Sequence, residues 1–245
     1  MTRRRWIADE VSGNRAVLVG NHADHLARVL RARIGEEFDI ATGSSVRRGR
    51  IARLSNDRVE FDLGDEIPAE VSAISITLAL SVFKFNRMEW AIEKCAELGV
   101  SRIVPVIAHR TDSRLAAASA RRVERWRRIV HEAAQQSRRA IPPEVALPLP
   151  ASEIVKAGAH IRILLAESEH ETTLRDYLEG VKQTSAADEV TLATGPEGGW
   201  DERELHSFRD AGWRQVSLGK AILRAETAAI AAMAITLSIL SCPAP

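Results

Sequence analysis

Two glycine-rich turns contain most of the residues whose types and spacing could do chemistry. The first, TGPEGG (residues 194–199), combines three glycines and a proline with one carboxylate, Glu197. The second, SLGKAILRAETAA (217–229), places Arg224 and Glu226 shortly after a glycine. Backbone that carries no side chain lets a ligand approach closely and bind to main-chain N–H and C=O groups. The two stretches therefore predict either a site formed largely by main chain or, in the simpler interpretation, plain tight turns.

The TGPEGG turn does not have the pattern of a phosphate site. It lacks both the G-x-x-x-x-G-K-[ST] and the G-x-G-x-x-G spacing, and it contains no lysine. Asp201 and Glu204 have the spacing of a capping box, so a helix is predicted to begin near Asp201. An anionic ligand at that helix terminus would compete with the Asp201 carboxylate. We therefore expect a ligand that is not held through phosphates.

Other candidate residues indicate weaker chemistry. His22 and His25 have a metal-ligand spacing, but no third ligand follows at a plausible distance, so surface histidines are expected rather than a metal site. Glu167 opens an acidic run, ESEHE, that either lines a site or forms a solvated loop. Neither a G-x-S-x-G motif nor a Cys–His pairing indicates a nucleophile. Cys95 and Cys242 provide no disulfide framework, which fits a reducing cytoplasm.

Two kinds of pattern divide the chain into two predicted domains, residues 1–70 and 71–245. The first contains short strands broken by polar residues and one short helix, 22–33, which is typical of a small β-barrel. From Ile74 onward, apolar strands alternate with helices, which predicts an α/β domain with a mostly parallel sheet covered on both faces. Ligands of such sheets bind at the carboxyl ends of the strands, where TGPEGG is predicted to lie. The stretches LPLPAS (147–152) and TSAAD (184–188) are predicted to be loops.

The charge distribution bears on nucleic-acid binding, and hydropathy argues against a signal peptide and a membrane span. The net charge is +1, but residues 71–145 hold an excess of basic side chains, either as a nucleic-acid footprint or as solvated helix faces. A predicted helix over 121–138 has an apolar face, with arginines largely on its other sides. No apolar segment follows the N-terminal arginines, so no signal peptide is predicted. The apolar stretch within 227–245 is shorter than a membrane span needs, which favours a buried helix.

The two turns together resemble the signature of the bacterial 16S ribosomal RNA uridine N3-methyltransferases, a family of the SPOUT superfamily. RMEWAIEKCAELGVSRIVPV (87–106), HEAAQQSRR with IPPEV (131–145) and DHLARVLRARIGEE (24–37) extend the resemblance over nearly the whole chain. Two positions depart from the family pattern. Arg138 stands where the family usually has glycine, which affects the turn after the Arg-rich helix. Lys220 stands where the family usually has arginine, which preserves the charge.

The resemblance implies a fold and a reaction. The fold is a SPOUT-type knotted parallel-sheet domain preceded by a PUA-like RNA-binding barrel. The reaction is methylation of N3 of one uridine of 16S ribosomal RNA, uridine 1498, by S-adenosylmethionine, in a cytoplasmic enzyme without metal. Three loops at strand ends are implied to bind this cofactor, through Leu165, Ala166, Glu167, Thr194, Gly195, Pro196, Gly198, Gly199, Ser217, Leu218, Gly219, Ile222, Leu223, Arg224, Glu226 and Thr227.

Roles in catalysis follow from the chemistry of the implied reaction, whereas RNA binding and assembly are predicted from charge and from the apolar closing helix. Glu197 is a candidate for orienting or deprotonating the base, and Arg224 for stabilising negative charge on its carbonyl oxygens.

Homodimerisation is expected through the apolar closing helix over 225–240. Two alternatives stay open: a non-catalytic RNA-binding module in ribosome assembly, and a methyltransferase with another RNA target. The candidate RNA-binding residues are basic side chains from both domains: Arg47, Arg48, Arg50, Arg121, Arg122, Arg125 and Arg138.

Overall fold

A computed structural model describes residues 5–43, 45–68, 74–137, 139, 141–184 and 188–241. The chain divides into two compact units, Met1–Val71 with Ala134–Pro142, and Ser72–Ala133 with Pro143–Pro245. The division lies next to the boundary predicted after residue 70. The inclusion of residues 134–142 in the first unit is a feature that the sequence pattern did not predict. Arg138 and Cys242, both named above, lie outside the described residues.

The described strands of the first unit form one six-stranded sheet in the order β1-β4-β5-β6-β3-β2. The β1–β4 pair is parallel and the other pairs are antiparallel. Its inner face buries an apolar core that includes Leu18, Ile40 and Phe61. The strand β2 was not predicted, because three exposed residues carry no periodic signal. The strands are β1 (Arg5–Ile7), β2 (Glu10–Ser12), β3 (Arg15–Val19), β4 (Glu37–Ala41), β5 (Val46–Leu54) and β6 (Arg58–Ile67).

The helix of the first unit is shorter than predicted. The expected range was 22–33, but the structure has α1 (Asn21–Asp24) followed by a π-helical segment, His25–Val29. The Leu30 N–H donates to the His25 carbonyl at 3.0 Å, five residues back. Arg31 then adopts a φ of 52°, a conformation that ends helices. Helical spacing alone could not locate this end, because it depends on the backbone conformation at one arginine.

The second unit contains a wholly parallel sheet in the order β10-β8-β7-β12-β11-β13, with β9 also paired to β8. This confirms the predicted α/β class. Its strands are β7 (Ser75–Ser81), β8 (Arg102–Ile107), β9 (Glu144–Val145), β10 (Leu149–Pro150), β11 (Ile161–Leu165), β12 (Glu189–Thr194) and β13 (Arg214–Val216). The helices that follow α1 are α2 (Phe85–Leu98), α3 (Ser113–Ser119), α4 (Val123–Gln136), α5 (Ala151–Ile154), α6 (Leu174–Thr184), α7 (Glu202–Asp210) and α8 (Ala225–Leu240).

Both faces of the parallel sheet are covered, because side chains alternate across each strand. Leu78 and Leu80 of β7 belong to a core shared with α2, α4, α6 and α8. Ala79, between them, belongs to a second core, which contains residues of α5 and α7. The closing helix α8 has its predicted bounds and packs against α2 and α6. Each apolar strand therefore holds its carboxyl end in a fixed position at one edge of the sheet.

The predicted loop at 147–152 is wrong in part. Leu149 and Pro150 form the edge strand β10, paired with Val106 and Ile107 of β8, and α5 begins at Ala151. A two-residue strand carries no alternation, so only its pairing partner reveals it. Of the loop predicted at 184–188, residues 185–187 lie outside the described part. Among the described helices, none is long and apolar enough to cross a membrane.

Candidate functional site

Three loops meet at the carboxyl edge of the sheet because β12, β11 and β13 are parallel neighbours. They enclose a cavity of about 760 Å³, which lies within the range of small-molecule sites. Glu226 and Thr227, although predicted as binding residues, are not among the residues that line it. The other predicted residues do line it: Leu165, Ala166, Glu167, Thr194, Gly195, Pro196, Glu197, Gly198, Gly199, Ser217, Leu218, Gly219, Ile222, Leu223 and Arg224.

Trp200 follows the TGPEGG loop and links it to the β11 loop, which begins at Leu165. Its indole Nε1 donates to the carbonyl of Leu165 at 3.1 Å, and the side chain is buried against Phe208. A Cβ atom at Gly195 would lie 3.2 Å from that Nε1. Gly195 is therefore small because the indole packs on it. Trp200 itself was not predicted to belong to the site.

The loop after β13, which begins at Ser217, is hydrogen-bonded to the segment that follows the β11 loop. The N–H of Ser217 donates to the Thr172 carbonyl at 2.9 Å, and the N–H of Leu174 donates to the Ser217 carbonyl at 2.8 Å. Within that segment, the Glu169 carboxylate accepts from the N–H groups of Glu171 and Thr172. These hydrogen bonds lower the pKa of Glu169 below its ordinary value. Of the acidic run, Glu167 lines the cavity, whereas Glu169 stabilises its own loop.

Two glycines of the cavity require a conformation that other residues rarely adopt. Gly199 has a φ of 68° and Gly219 a φ of 109°, and a Cβ atom on either would meet none of the described residues within 4 Å apart from its chain neighbours. Gly198 differs, because its carbonyl accepts from Arg110 Nη1 at 2.8 Å and a Cβ would touch that side chain at 3.5 Å. The α7 capping box predicted at Asp201 and Glu204 is present. The TGPEGG loop is thus held by Arg110 at Gly198 and followed by the capping box, while Gly199 faces open space.

Comparisons with known proteins agree with this geometry. A family model described as an RNA methyltransferase domain matches residues 70–237. The ribosomal RNA small subunit methyltransferase E of Aquifex aeolicus is 30% identical, over 95% of this chain and 98% of that protein. The chain belongs to this methyltransferase E family. The Synechocystis member of the family is 36% identical, over 86% of this chain and 68% of that protein.

Two solved structures share the fold over almost their whole length. A putative methyltransferase from Legionella pneumophila, in complex with bound S-adenosylmethionine, superposes with a TM-score of 0.84 at 27% identity. The ribosomal RNA small subunit methyltransferase E of Neisseria gonorrhoeae, bound to S-adenosylmethionine, superposes with a TM-score of 0.82 at 28% identity. Each comparison covers 97% of this chain and 98% of the other. The chain is therefore similar to cofactor-bound methyltransferases in sequence and in fold.

Charged side chains at the cavity fall into paired and unpaired groups. Arg87 of α2 contacts Glu197 at 3.1 Å (Nη1 to Oε1) and the buried Glu226 at 3.7 Å (Nε to Oε1). Lys220 and Arg224 are exposed, and among the described residues neither has an ion-pair partner. Sequence reasoning missed Arg87 and Arg110 as site residues. Arg87 stands at the start of a stretch that carries the family resemblance, but its contacts join positions more than 100 residues apart.

Five of the seven arginines predicted to bind RNA make contacts within the protein. Arg122 and Arg125 approach Glu89 of α2 at 3.6 and 2.9 Å, and Arg122 also lies 4.7 Å from the Phe85 ring centroid. Arg121 is exposed. In the first unit, the Arg47 side chain donates to the carbonyl groups of Leu63 and Gly64. Arg48 and Arg50 lie near the carboxylate of Glu37. Arg138 lies outside the described residues.

The histidine pair of the first unit has local partners in the structure. The Nδ1 atom of His22 lies 3.4 Å from a carboxylate oxygen of Asp9. The rings of both His22 and His25 contact the buried Trp6. Over the described ranges, no group of three or more His, Cys, Asp or Glu side chains is arranged to hold a metal ion. Cys95 is buried in the second unit, and this burial raises its pKa to about 12.

Proposed function

We propose that this chain is an S-adenosylmethionine-dependent methyltransferase that acts on N3 of one uridine of 16S ribosomal RNA, uridine 1498 in the family. The observation that carries the proposal is the convergence of the two glycine-rich turns and the β11 loop on one cavity. Membership of the methyltransferase E family supports the RNA substrate. The cofactor named for the two similar structures supports the ligand. The proposed substrate places the enzyme in the cytoplasm.

The residues of the cavity fit this cofactor. The hydroxyl of Thr194 is buried at the cavity and has no hydrogen-bond partner among the described residues, so a polar ligand group would satisfy it. Ile222 is 83% exposed at the same cavity, and an adenine ring would cover it. Backbone around Gly199 and Gly219 leaves space that a ligand can fill. When bound, S-adenosylmethionine supplies a methyl group on a positively charged sulfur.

The chain's own residues have three tasks in the proposed reaction. N3 of neutral uracil carries a proton between two carbonyl groups, so the base must leave its stack and lose that proton. Glu197 accepts the hydrogen bond from N3–H and is the proposed general base that removes this proton. Arg224 stabilises the negative charge that then spreads over the carbonyl oxygens. The loops hold N3 in line with the reacting centre and exclude water.

Mapping of modified nucleosides in ribosomal RNA from cells that lack this chain tests the proposal. We expect one uridine of 16S RNA to lose its methyl group in those cells and to regain it on complementation. Loss at another RNA would favour the alternative target. The alternative of a non-catalytic assembly module predicts an unchanged methylation pattern and no cofactor binding by calorimetry at millimolar concentration.

We extend the proposal to the fold details that the family resemblance implies. The first unit is proposed to be a PUA-like barrel that binds RNA, and its antiparallel sheet supports this assignment. The second unit is proposed to contain a trefoil knot. The placement of β11 between β12 and β13, and the hydrogen bonds from the β13 loop to residues 172–174, support a chain that crosses its own path.

The proposed RNA surface includes Arg121, Arg122 and Arg125. Replacing Arg121 by alanine should lower the slope of log affinity against log salt by somewhat under about one unit, because one phosphate contact is lost. Arg122 and Arg125 must exchange Glu89 for a phosphate, so their single variants should have smaller effects. Filter binding to 16S RNA over a salt series measures the slope. Arg175→Ala, which removes an exposed arginine already paired with Glu179, is the control. An Arg121→Ala slope equal to that of the control would place these arginines outside the RNA surface.

We also propose a homodimer formed through α8. Ala229, Ala232 and Met233 of this helix are buried against its own unit, whereas Ile230, Ile235, Leu237, Ile239 and Leu240 are only partly covered. A partner helix would complete their burial. Light scattering should report a dimer at micromolar concentration. A monomer that retains full methyl-transfer activity would contradict this arrangement.

A further inference from the structure

Arg87 lies where three elements of the second unit meet. It belongs to the first turn of α2, it lines the cavity, and it contacts carboxylates from the TGPEGG loop and from α8. The neighbouring Met88 is completely buried, which fixes this turn of the helix on the core. The proposed reaction assigns tasks to Glu197 and Arg224 but none to Arg87. The contacts of Arg87 at the cavity therefore indicate a role that the proposed reaction has not yet included.

On one side, Arg87 faces a buried carboxylate. Glu226 is 6% exposed, its Oε1 atom lies 3.7 Å from Arg87 Nε, and its Oε2 atom has no hydrogen-bond partner within the described part of the chain. A buried charge is stable only with compensation, which here comes from the guanidinium and from the N-terminal end of α8. Glu226 in turn holds the Arg87 side chain against the start of α8. This pair is a fixed anchor, because both of its members belong to helices that pack on each other.

On the other side, Arg87 faces the cavity carboxylate. Its Nη1 atom donates to Oε1 of Glu197 at 3.1 Å. Among the residues that the structure describes, none donates a hydrogen bond to Oε2 of Glu197. The Arg87 guanidinium thus fixes one oxygen of Glu197 and leaves the other for a ligand in the cavity.

We propose that Arg87 is a positioning residue, which is anchored by Glu226 and orients Glu197 so that Oε2 meets N3–H of the target uracil. This inference rests on the proposed function and adds a residue to it. A guanidinium suits the task because its planar fork can face two carboxylates in fixed directions, whereas an ammonium group is a single point of charge. The geometry also separates the two parts of the role. The contact with Glu226 stabilises the fold, and the contact with Glu197 orients a group for the reaction.

Single-turnover methylation of 16S RNA tests the role with four variants. Arg87→Met should lower the methyl-transfer rate about 100-fold, because a misplaced reacting group costs on this order. Its dissociation constant for S-adenosylmethionine should stay within about twofold, since the cofactor does not require Glu197 to be oriented. Arg87→Lys should recover part of the rate. Arg87→Met combined with Glu197→Gln should be no slower than Glu197→Gln alone, because residues that act as a unit are not additive.

A second measurement distinguishes positioning from a merely structural role. Arg87→Met removes the guanidinium that compensates the buried Glu226, so its thermal stability should fall, and adding Glu226→Gln should restore stability but not the rate. Lys94→Met removes two ion pairs on the same helix away from the cavity and is the control, with an unchanged rate expected. Recovery of the rate together with stability would overturn the positioning role. So would a wild-type rate in Arg87→Met while the wild-type enzyme is active. A wild-type chain that transfers no methyl group would instead overturn the proposed function, and this role with it.

Discussion

Gly199→Asn is expected to abolish measurable binding of S-adenosylmethionine while the chain stays folded. Gly199 has a φ of 68° and a Cβ there would meet only the open cavity. Asparagine tolerates this left-handed conformation, but its amide would occupy the space proposed for the ligand. We expect the binding free energy to weaken by more than about 3 kcal/mol, roughly 100-fold or more in Kd. Calorimetry measures the affinity, and thermal unfolding without cofactor measures the fold.

Two matched variants separate the ligand effect from backbone strain. Gly199→Val should also lose the cofactor, and it should be less stable than Gly199→Asn by about 1–2 kcal/mol, because a β-branched residue does not tolerate this φ. Gly13→Asn places the same change at a turn of the first unit, where φ is 57° and a Cβ again meets nothing within 4 Å. This control should bind the cofactor normally. Normal binding by a folded Gly199→Asn variant would show that this glycine does not face the ligand.

Arg224→Ala is expected to lower the methyl-transfer rate about 100- to 1,000-fold, the usual cost of removing one group that stabilises developing negative charge. Arg224 is exposed at the cavity, precedes α8 as its N-cap residue, and has no ion-pair partner among the described residues. Its guanidinium is therefore available to the carbonyl oxygens of the target base. Cofactor affinity should change little, because the proposed contact is with the substrate. Single-turnover rates and calorimetry on the same preparation measure both quantities.

Lys220 supplies the control for this prediction within the same loop. It is also an exposed, unpaired cation among the described residues that line the cavity. If Arg224 acted only through general attraction of RNA, Lys220→Ala and Arg224→Ala would weaken RNA binding equally and leave the single-turnover rate at saturating RNA unchanged. The charge-stabilising role requires a rate loss for Arg224→Ala alone at saturation. Equal rates for the two variants would contradict it.

The positions of the glycine-rich turns were predictable because strong local patterns surround them. Apolar strands before Leu165, Thr194 and Val216 indicated a parallel sheet, and parallel strands place their carboxyl ends at one edge. The capping box at Asp201 and Glu204 also depends only on neighbouring residues. Features of this kind are local, and the structure has them. The family resemblance implied that three loops meet at one site, and the strand order of the structure explains why they do.

Features that depend on tertiary contacts could not be predicted. Arg87 meets Glu197 across 110 positions, and Trp200 meets Leu165 across 35, without any periodic signal. The strands β2, β9 and β10 are two or three residues long, so alternation cannot reveal them. Glu226 was assigned to the cofactor by its place in a motif, but the structure buries it beneath Arg87. Motif membership placed Glu226 in a stretch that borders the cavity and left the task of this residue open.

Methylation of small ribosomal subunits by the purified chain would show whether it is a uridine N3-methyltransferase of 16S RNA. The subunits come from cells that lack this protein, and S-adenosylmethionine with a labelled methyl group is the donor. Nuclease digestion and mass spectrometry then locate the label. We expect one labelled nucleoside in 16S RNA, 3-methyluridine, and no label with the Gly199→Asn variant. A wild-type chain that binds the subunit but transfers no label, or that labels a different atom or base, would contradict it.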